Sequence, residues 1–298
     1  MLLHKKNAIA LLITIVFVML ISVGLGIGLK YINTSSQTLK DENFIFQSVT
    51  LVDDFLNILK KSPDLLEVKD SASLAIFLSQ AGLIPFESND YSIVISITSA
   101  RDKINPLVFK DKQRFEALRA FLLNYGVNAD YSDMLYDLIS GIKPDGTYRS
   151  DIFNENPYLF RNYIASQEHL EKLNEIYIKR YHDNSLQKIN MKELFMFSSD
   201  TNTSIDLNYA TPITLELLLA CDALRAQDLN SMGLGGYSSD TPILLSDDEN
   251  RSLSYFNVNY YQGLLAVKIE ISKGVNKALI KFEYNIKLKK GYNFDWQV

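Results

Sequence analysis

The sequence predicts an α+β protein: a long apolar N-terminal helix, then an α/β domain interrupted by a large all-helical block. Three observations predict it. Asn7 through Leu29 is a run of 23 residues without a charge. Tyr91–Thr98 and Leu264–Leu288 alternate apolar and polar residues with a period of two, as half-buried strands do. Between these strand signals, apolar residues recur at helical spacing from Lys112 onward. The composition is that of a folded chain, 47% hydrophobic and 22% charged over 298 residues, which excludes disorder, collagen and coiled coil.

Lys5 and Lys6 precede the apolar run and Lys30 follows it. About 20 apolar residues span a bilayer as a helix, whereas a secretory signal peptide carries roughly 7–15 before a small-residue cleavage site. The run is too long for the second, and Gly24, Gly26 and Gly28 make a poor cleavage site. The positive-inside rule keeps the two lysines cytoplasmic. Beyond residue 6 the chain has 28 basic against 35 acidic residues, a net −7. A single-pass membrane protein with a periplasmic or extracellular body beyond about residue 30 is expected.

Residues 30–61 carry Phe46, Val49, Leu51, Val52, Phe55, Leu56 and Leu59 near a helical period and stop before Pro63. Ser71–Ala81 reads as a helix capped by Ser71 or Ser73 and ended by Gly82. In the Tyr91–Thr98 strand, Ile93, Ile95 and Ile97 share a face. Phe115, Leu118, Phe121 and Leu122 form one helical stripe, and Tyr131, Met134, Leu135, Leu138 and Ile139 another, broken at Gly126 and Asn128. Lys143–Gly146 is a turn. Ser166 opens a helix with Glu168 at its positive end. Pro212 takes a first helical position, with Asp228–Ser231 continuing or ending that unit. Leu265, Val267, Ile269 and Ile271, then Ile280, Phe282, Tyr284, Ile286 and Leu288, alternate around the Lys273-Gly274 turn as a hairpin. The early strand and this hairpin are expected to share one sheet, which makes the helical block an insertion.

The counts lean away from an enzyme. One cysteine, Cys221, rules out an internal disulfide, a CxxC pair and a cysteine-based zinc cluster. The three histidines, His4, His169 and His182, form no ligand pair, and the last two are expected as solvated helix residues. Cys221 reads as a buried small hydrophobe. Gly233-Leu234-Gly235-Gly236 reads as a loop and not a phosphate cradle. A net charge of −5 is no nucleic-acid footprint. The rival is an anchored enzyme using scattered acids such as Asp137 and Asp206, which would have to face each other in a deep apolar cleft.

The run Lys6-Asn7-Ala8-Ile9-Ala10-Leu11-Leu12-Ile13 resembles the N-terminus of a type IV prepilin or pseudopilin, and on these residues alone a plain anchor fits equally well. In that superfamily a peptidase removes a short basic leader, here 1–8, cutting between Ala8 and Ile9 and leaving 9–29 as the transmembrane helix. Ala8 stands where the family has Gly, and Ile13 stands at the fifth mature position, where most pilins carry Glu. That buried carboxylate needs the ammonium of the subunit ahead; Ile13 has no such need, which implies a place at the filament tip.

Further segments, in order, are similar to the K-type minor pseudopilins of type II secretion systems (general secretion pathway protein K). Asp102-Lys103-Ile104-Asn105-Pro106-Leu107 resembles G-K-I-N-L-N-x-L, and Asp133–Ile139 resembles v-d-a-L-l-D-W-I-D, with Leu138 for Trp and Ser140 for the second Asp. Ser166-Gln167-Glu168-His169-Leu170 matches S-x-E-E-L, Ile205–Pro212 resembles I-N-L-N-T-A-P, and the late hairpin ending with Trp296 has its counterpart. The resemblance implies a pilin-like α/β domain over 30–106 and 246–298, with an inserted helix-hairpin-helix or SAM-like domain over 107–245. It implies a tip role without catalysis, N-terminal processing and methylation. The implied partners are other minor pseudopilins, the major pseudopilin, the prepilin peptidase, the assembly platform and the inner membrane, with no nucleic acid. The alternatives are a single-pass anchored periplasmic binding protein and a minor pilin of a related type IV pilus or competence system.

Members of that family bind calcium, which prefers hard oxygen ligands on flexible loops. Asp200-Thr201-Asn202-Thr203-Ser204-Ile205-Asp206 starts like an EF-hand loop but has Ile205 at the Gly position and Thr211 at the Glu position; it reads better as a polar linker. Asp145, Asp151, Asn154 and Glu155 crowd one stretch, and Asp247, Asp248 and Glu249 another. No cofactor is expected, and calcium stays open.

Overall fold

The computed structural model describes residues 18–19, 37–88, 91–200 and 203–297. Among them no helix is long and apolar enough to cross a membrane. The expected leader 1–8, the span 9–29 apart from Val18 and Met19, and the residues Ala8, Ile9 and Ile13 lie outside the described residues. The chain divides into two compact units, Met1–Ala100 with Gly263–Val298, and Arg101–Gln262.

The first unit opens with helix α1, Gln37–Lys61. Phe44, Ser48, Leu51, Val52, Phe55 and Leu59 form its buried stripe, whereas Phe46 and Val49, two of the expected periodic positions, are exposed at 65% and 40%. The core stripe is shifted from the one the period drew, because both residues lie off the side that meets the sheet. Pro63 begins a short helix α2, Pro63–Leu66, whose first turn donates to the Ser62 hydroxyl. Helix α3, Ser71–Ala81, is capped by Asp70, not by Ser71 or Ser73: its carboxylate accepts the Ser73 N–H at 2.8 Å, and the Ser73 hydroxyl accepts the Asp70 N–H in return. Gly82 does end α3, through space and not handedness. A Cβ there would lie 2.5 Å from the Leu78 carbonyl oxygen. The chain then forms β1, Leu83–Ser88, which the sequence reading missed, and β2, Tyr91–Ser99.

The second unit holds helices α4 (Lys112–Asn124), α5 (Ala129–Ser140), α6 (Ile152–Glu155), α7 (Gln167–Tyr181) and α8 (Met191–Leu194). A short strand β3 (Ile205–Asp206) follows, then α9 (Pro212–Leu219), α10 (Ala223–Gly233), α11 (Asp247–Leu253) and strand β4 (Val258–Asn259). Side chains cap these starts as the local sequence demands: Asp111, Asn128, Ser166, Thr211 and Asp222 each accept an N–H of the following turn. Both expected stripes are buried, Phe115, Leu118, Phe121 and Leu122 on α4 and Tyr131, Met134, Leu135, Leu138 and Ile139 on α5. They join Leu170, Leu173, Tyr177, Leu215 and Leu218 in a core of the unit's own. The two ends of the unit meet on β3: Asp206 donates its N–H to the Arg101 carbonyl at 2.8 Å, β4 pairs with β3 in parallel, and Gln262 bonds the Ser204 hydroxyl. These ties carry the unit beyond the expected limits of 107 and 245.

After Gln262 the chain returns to the first unit as β5 (Leu264–Lys273), β6 (Asn276–Asn285) and β7 (Lys290–Gln297). The sheet is antiparallel in the order β1-β2-β5-β6-β7. The early strand and the late hairpin thus share one sheet, with Ser99 opposite Leu265. The hairpin is a three-stranded meander, since β6 stops at Asn285 and β7 adds an unforeseen edge strand. Ile93, Ile95 and Ile97 with Leu265, Val267, Ile269, Ile280 and Phe282 line the face that buries against the helices.

Candidate functional site

Among the described residues of the first unit, exposed apolar side chains lie on one flank of α1 and on the edge strand β7. Two contacts fix how the helix crosses the sheet. The Tyr91 hydroxyl, at the start of β2, bonds Gln47. At the other end of the sheet, a Cβ on Gly291 would lie 3.1 Å from Leu56 Cδ2 and 2.7 Å from Phe294 Cζ. Leu56 therefore faces β7, and Val49 and Ile45, seven and eleven positions before it, fall on the same flank.

Along β7, Trp296 stands opposite Ile280, and Phe294 stacks on Phe282 with ring centroids 5.0 Å apart, so both aromatics point to the helix side of the sheet. They remain 42% and 38% exposed for Phe294 and Trp296. We call these exposed apolar residues, Ile45 and Val49 on the α1 flank and Phe294 and Trp296 on the helix side of β7, the seam. Single exposed apolar residues such as Ile142 and Leu244 occur elsewhere, as on most surfaces. Exposed apolar side chains on a helix flank and an aromatic strand edge suit the apolar stripe of another helix.

In the second unit the motif residues act as buried fasteners. Asn105 accepts the Leu107 N–H at 3.1 Å and donates its amide to the carbonyls of Ser198 and Asp200. Asn208 donates to the carbonyls of Tyr237 and Tyr260 and accepts the Tyr237 N–H. Asp137, fully buried, accepts the N–H groups of Arg149 and Ser150 and the Ser150 hydroxyl. Asp206, only 1% exposed, accepts the Asn208 N–H with one oxygen while its other oxygen has no partner, and burial pushes its pKa up to about 7. No contact joins Asp137 to Asp206; each serves its own loop.

The remaining candidates are placed as follows. Asp151 and Glu155 pair with Arg180, Asp145 accepts the Thr147 N–H, and Asn154 bonds Asp151. Asp247, Asp248 and Glu249 form the first turn of α11, where Glu249 closes a capping box with Ser246 and pairs with Arg225. Thr201 and Asn202 lie outside the described residues, and the Asp200 side chain is exposed. Among the described residues no three His, Cys, Asp or Glu side chains gather to hold a metal ion. His169 departs from the solvated reading: it is half-buried, its Nδ1 accepts the Ala165 N–H, and burial lowers its pKa. His182 is exposed at the left-handed end of α7. Cys221 is half-buried, not buried, because it follows the left-handed Ala220 that closes α9. Gly233 belongs to α10, and Leu234–Gly236 leads away from it.

No protein-family model matches the sequence, and no curated protein matches it. The structure is similar to a solved one, the GspK-GspI-GspJ complex from the type 2 secretion system of enterotoxigenic Escherichia coli. The TM-score is 0.59, covering 88% of this chain and 100% of that one at 14% identity. The fold is GspK-like.

The motif residues Asn105, Asp137 and Asn208 each tie a loop of the helical unit to its interior through buried hydrogen bonds. The seam residues Phe294 and Trp296 were not singled out as a surface by the sequence. The signal was there, in the alternation of Tyr292, Phe294 and Trp296.

Proposed function

We propose that this protein is a minor pseudopilin of the K type, which caps the tip of a short periplasmic filament and helps to start its assembly for secretion across the outer membrane. The GspK-like fold carries this reading. In it, the leader 1–8 is removed between Ala8 and Ile9 by a prepilin peptidase, and 9–29 anchors the protein in the inner membrane with its body in the periplasm. The α/β domain carries the helical unit, Arg101–Gln262, as an insertion between its strands. Ile13 at the fifth mature position needs no ammonium ahead of it, which suits the first subunit out. The bulk of the helical unit would hinder repetition along a packed filament but not at its end.

The chain works by binding, without catalysis. Its seam of Ile45, Val49, Phe294 and Trp296 receives the stem helix of a smaller minor pseudopilin, a role supported by the fold's occurrence in a GspK-GspI-GspJ complex. The major pseudopilin and the assembly platform are the further partners. The test is co-purification of the full chain with the other pseudopilins of the same cell, beside a secretion assay after deletion of its gene. A stable complex and a secretion defect are expected. No complex, with secretion intact, would leave a plain membrane-anchored binding protein.

A further inference from the structure

The second unit contains a cleft that the pseudopilin reading does not use. It measures about 520 Å³ and is lined by one flank of α4, the C-terminal end of α9, and Ser252 and Tyr255. The space exists because Ala117 and Ala120 on α4 meet Ala220 after α9, where larger side chains would have filled the gap to interior density. Phe121 and Leu217 form an apolar floor.

Two carboxylates border that floor, Glu116 and Glu216, against the single base Lys112. Among the described residues neither carboxylate pairs with a Lys or Arg. Glu216 is held in place by the Tyr125 hydroxyl at 2.8 Å, and burial, with Asp222 nearby, raises its pKa. A poorly hydrated carboxylate beside apolar surface is stabilised by a cation on an apolar stem, which is what Lys and Arg side chains offer. The surroundings agree in sign: residues 101–262 hold 16 Lys and Arg against 23 Asp and Glu, a net −7. That charge also repels a second, equally acidic helical unit.

We propose that this cleft binds a polypeptide segment of another protein in which one Lys or Arg is flanked by apolar side chains. The cation sits between Glu116 and Glu216, and its neighbours lie on Phe121 and the three alanines. This site is independent of the seam on the first unit.

Cys221, the only cysteine of the chain, lines the cleft and serves as the reporter. Burial holds its pKa up at about 11, so alkylation is slow and a covering ligand slows it further. The full chain is treated with iodoacetamide at mildly alkaline pH in the presence of acetyl-Leu-Ala-Lys-Ala-Leu-amide or its norleucine isostere, and the alkylated fraction is followed by mass spectrometry. The lysine peptide is expected to protect saturably, at a concentration about fivefold lower than the isostere. Glu216→Gln should erase that difference, and Glu116→Gln should narrow it. Equal protection by both peptides, or none by either, overturns the proposal. So does protection that grows with protein concentration alone, which would mark a second copy as the occupant. The comparison of peptides on the unsubstituted chain decides even where Glu216→Gln fails to fold.

Discussion

Asp137 on α5 accepts the Ser150 N–H at 2.7 Å and the Ser150 hydroxyl at 2.8 Å, so one fully buried carboxylate ties down the turn-rich stretch that follows its own helix. The Arg149 N–H adds a third bond at 3.0 Å, and Lys143 stands 3.9 Å away. Asp137→Ala leaves these donors without a partner in the interior and is expected to cost about 3 kcal/mol. Asp137→Asn, which keeps one acceptor oxygen, should cost less. Urea unfolding of the two variants checks the order, and equal losses would contradict it.

Asp206 makes stability depend on pH. The unfolded chain releases this proton near 3.8 and the folded chain near 7, so between those values the folded state holds more protons. Its contribution is complete below pH 4 and falls by about 1.4 kcal/mol per pH unit until it is lost near neutrality. Asp206→Asn should flatten this part of the profile. A wild-type unfolding curve that is no steeper than that of the variant between pH 4 and 7 would remove the assignment.

Gly82 is expected to tolerate no side chain. The approach of 2.5 Å to the Leu78 carbonyl oxygen is to backbone, which cannot swing away, so Gly82→Ala must shift the join between α3 and β1. The expected loss is about 2 kcal/mol. Differential scanning calorimetry would register it, and an unchanged melting temperature would show that the turn relaxes freely.

Val49→Glu separates folding from association. Val49 is 40% exposed, so the fold should lose less than about 1 kcal/mol. Burying that carboxylate beneath a partner helix should weaken co-purification at least about tenfold. Thermal melts and pull-downs read the two effects separately. A variant that binds like wild type would move the interface away from the seam.

The strands with a buried face were legible: Ile93, Ile95 and Ile97 alternate with polar residues because one side of β2 meets the core. The edges were not. β1 carries Pro85, which strand patterns penalise except at an edge, and β7 exposes most of its side chains, so neither shows a clean contrast between faces. The seam was hidden for a related reason. Phe46 and Val49 have the spacing of a core stripe, and only the direction in which α1 crosses the sheet tells that they point outward. The cap of α3 was placed at Ser71 or Ser73 and not at Asp70, because all three side chains can accept a backbone N–H and the backbone decides among them. Asn105, Asp137 and Asn208 could be found as motif residues, but their work as fasteners depends on loops far away in the chain.

The pairing of Ser99 with Leu265 brings together strands that flank the whole helical unit. In an unfolded chain, closing that loop costs about 4 kcal/mol more than a two-residue turn. Once the helical unit has folded, its two ends are already joined at β3 through Arg101 and Gln262, and that cost is gone. The order of events follows from this: the inserted unit acts as a folding clamp, and the central ladder of the sheet zips last. During synthesis, the β1–β2 hairpin must wait, with one edge of β2 unpaired, until the entire insertion has emerged and compacted.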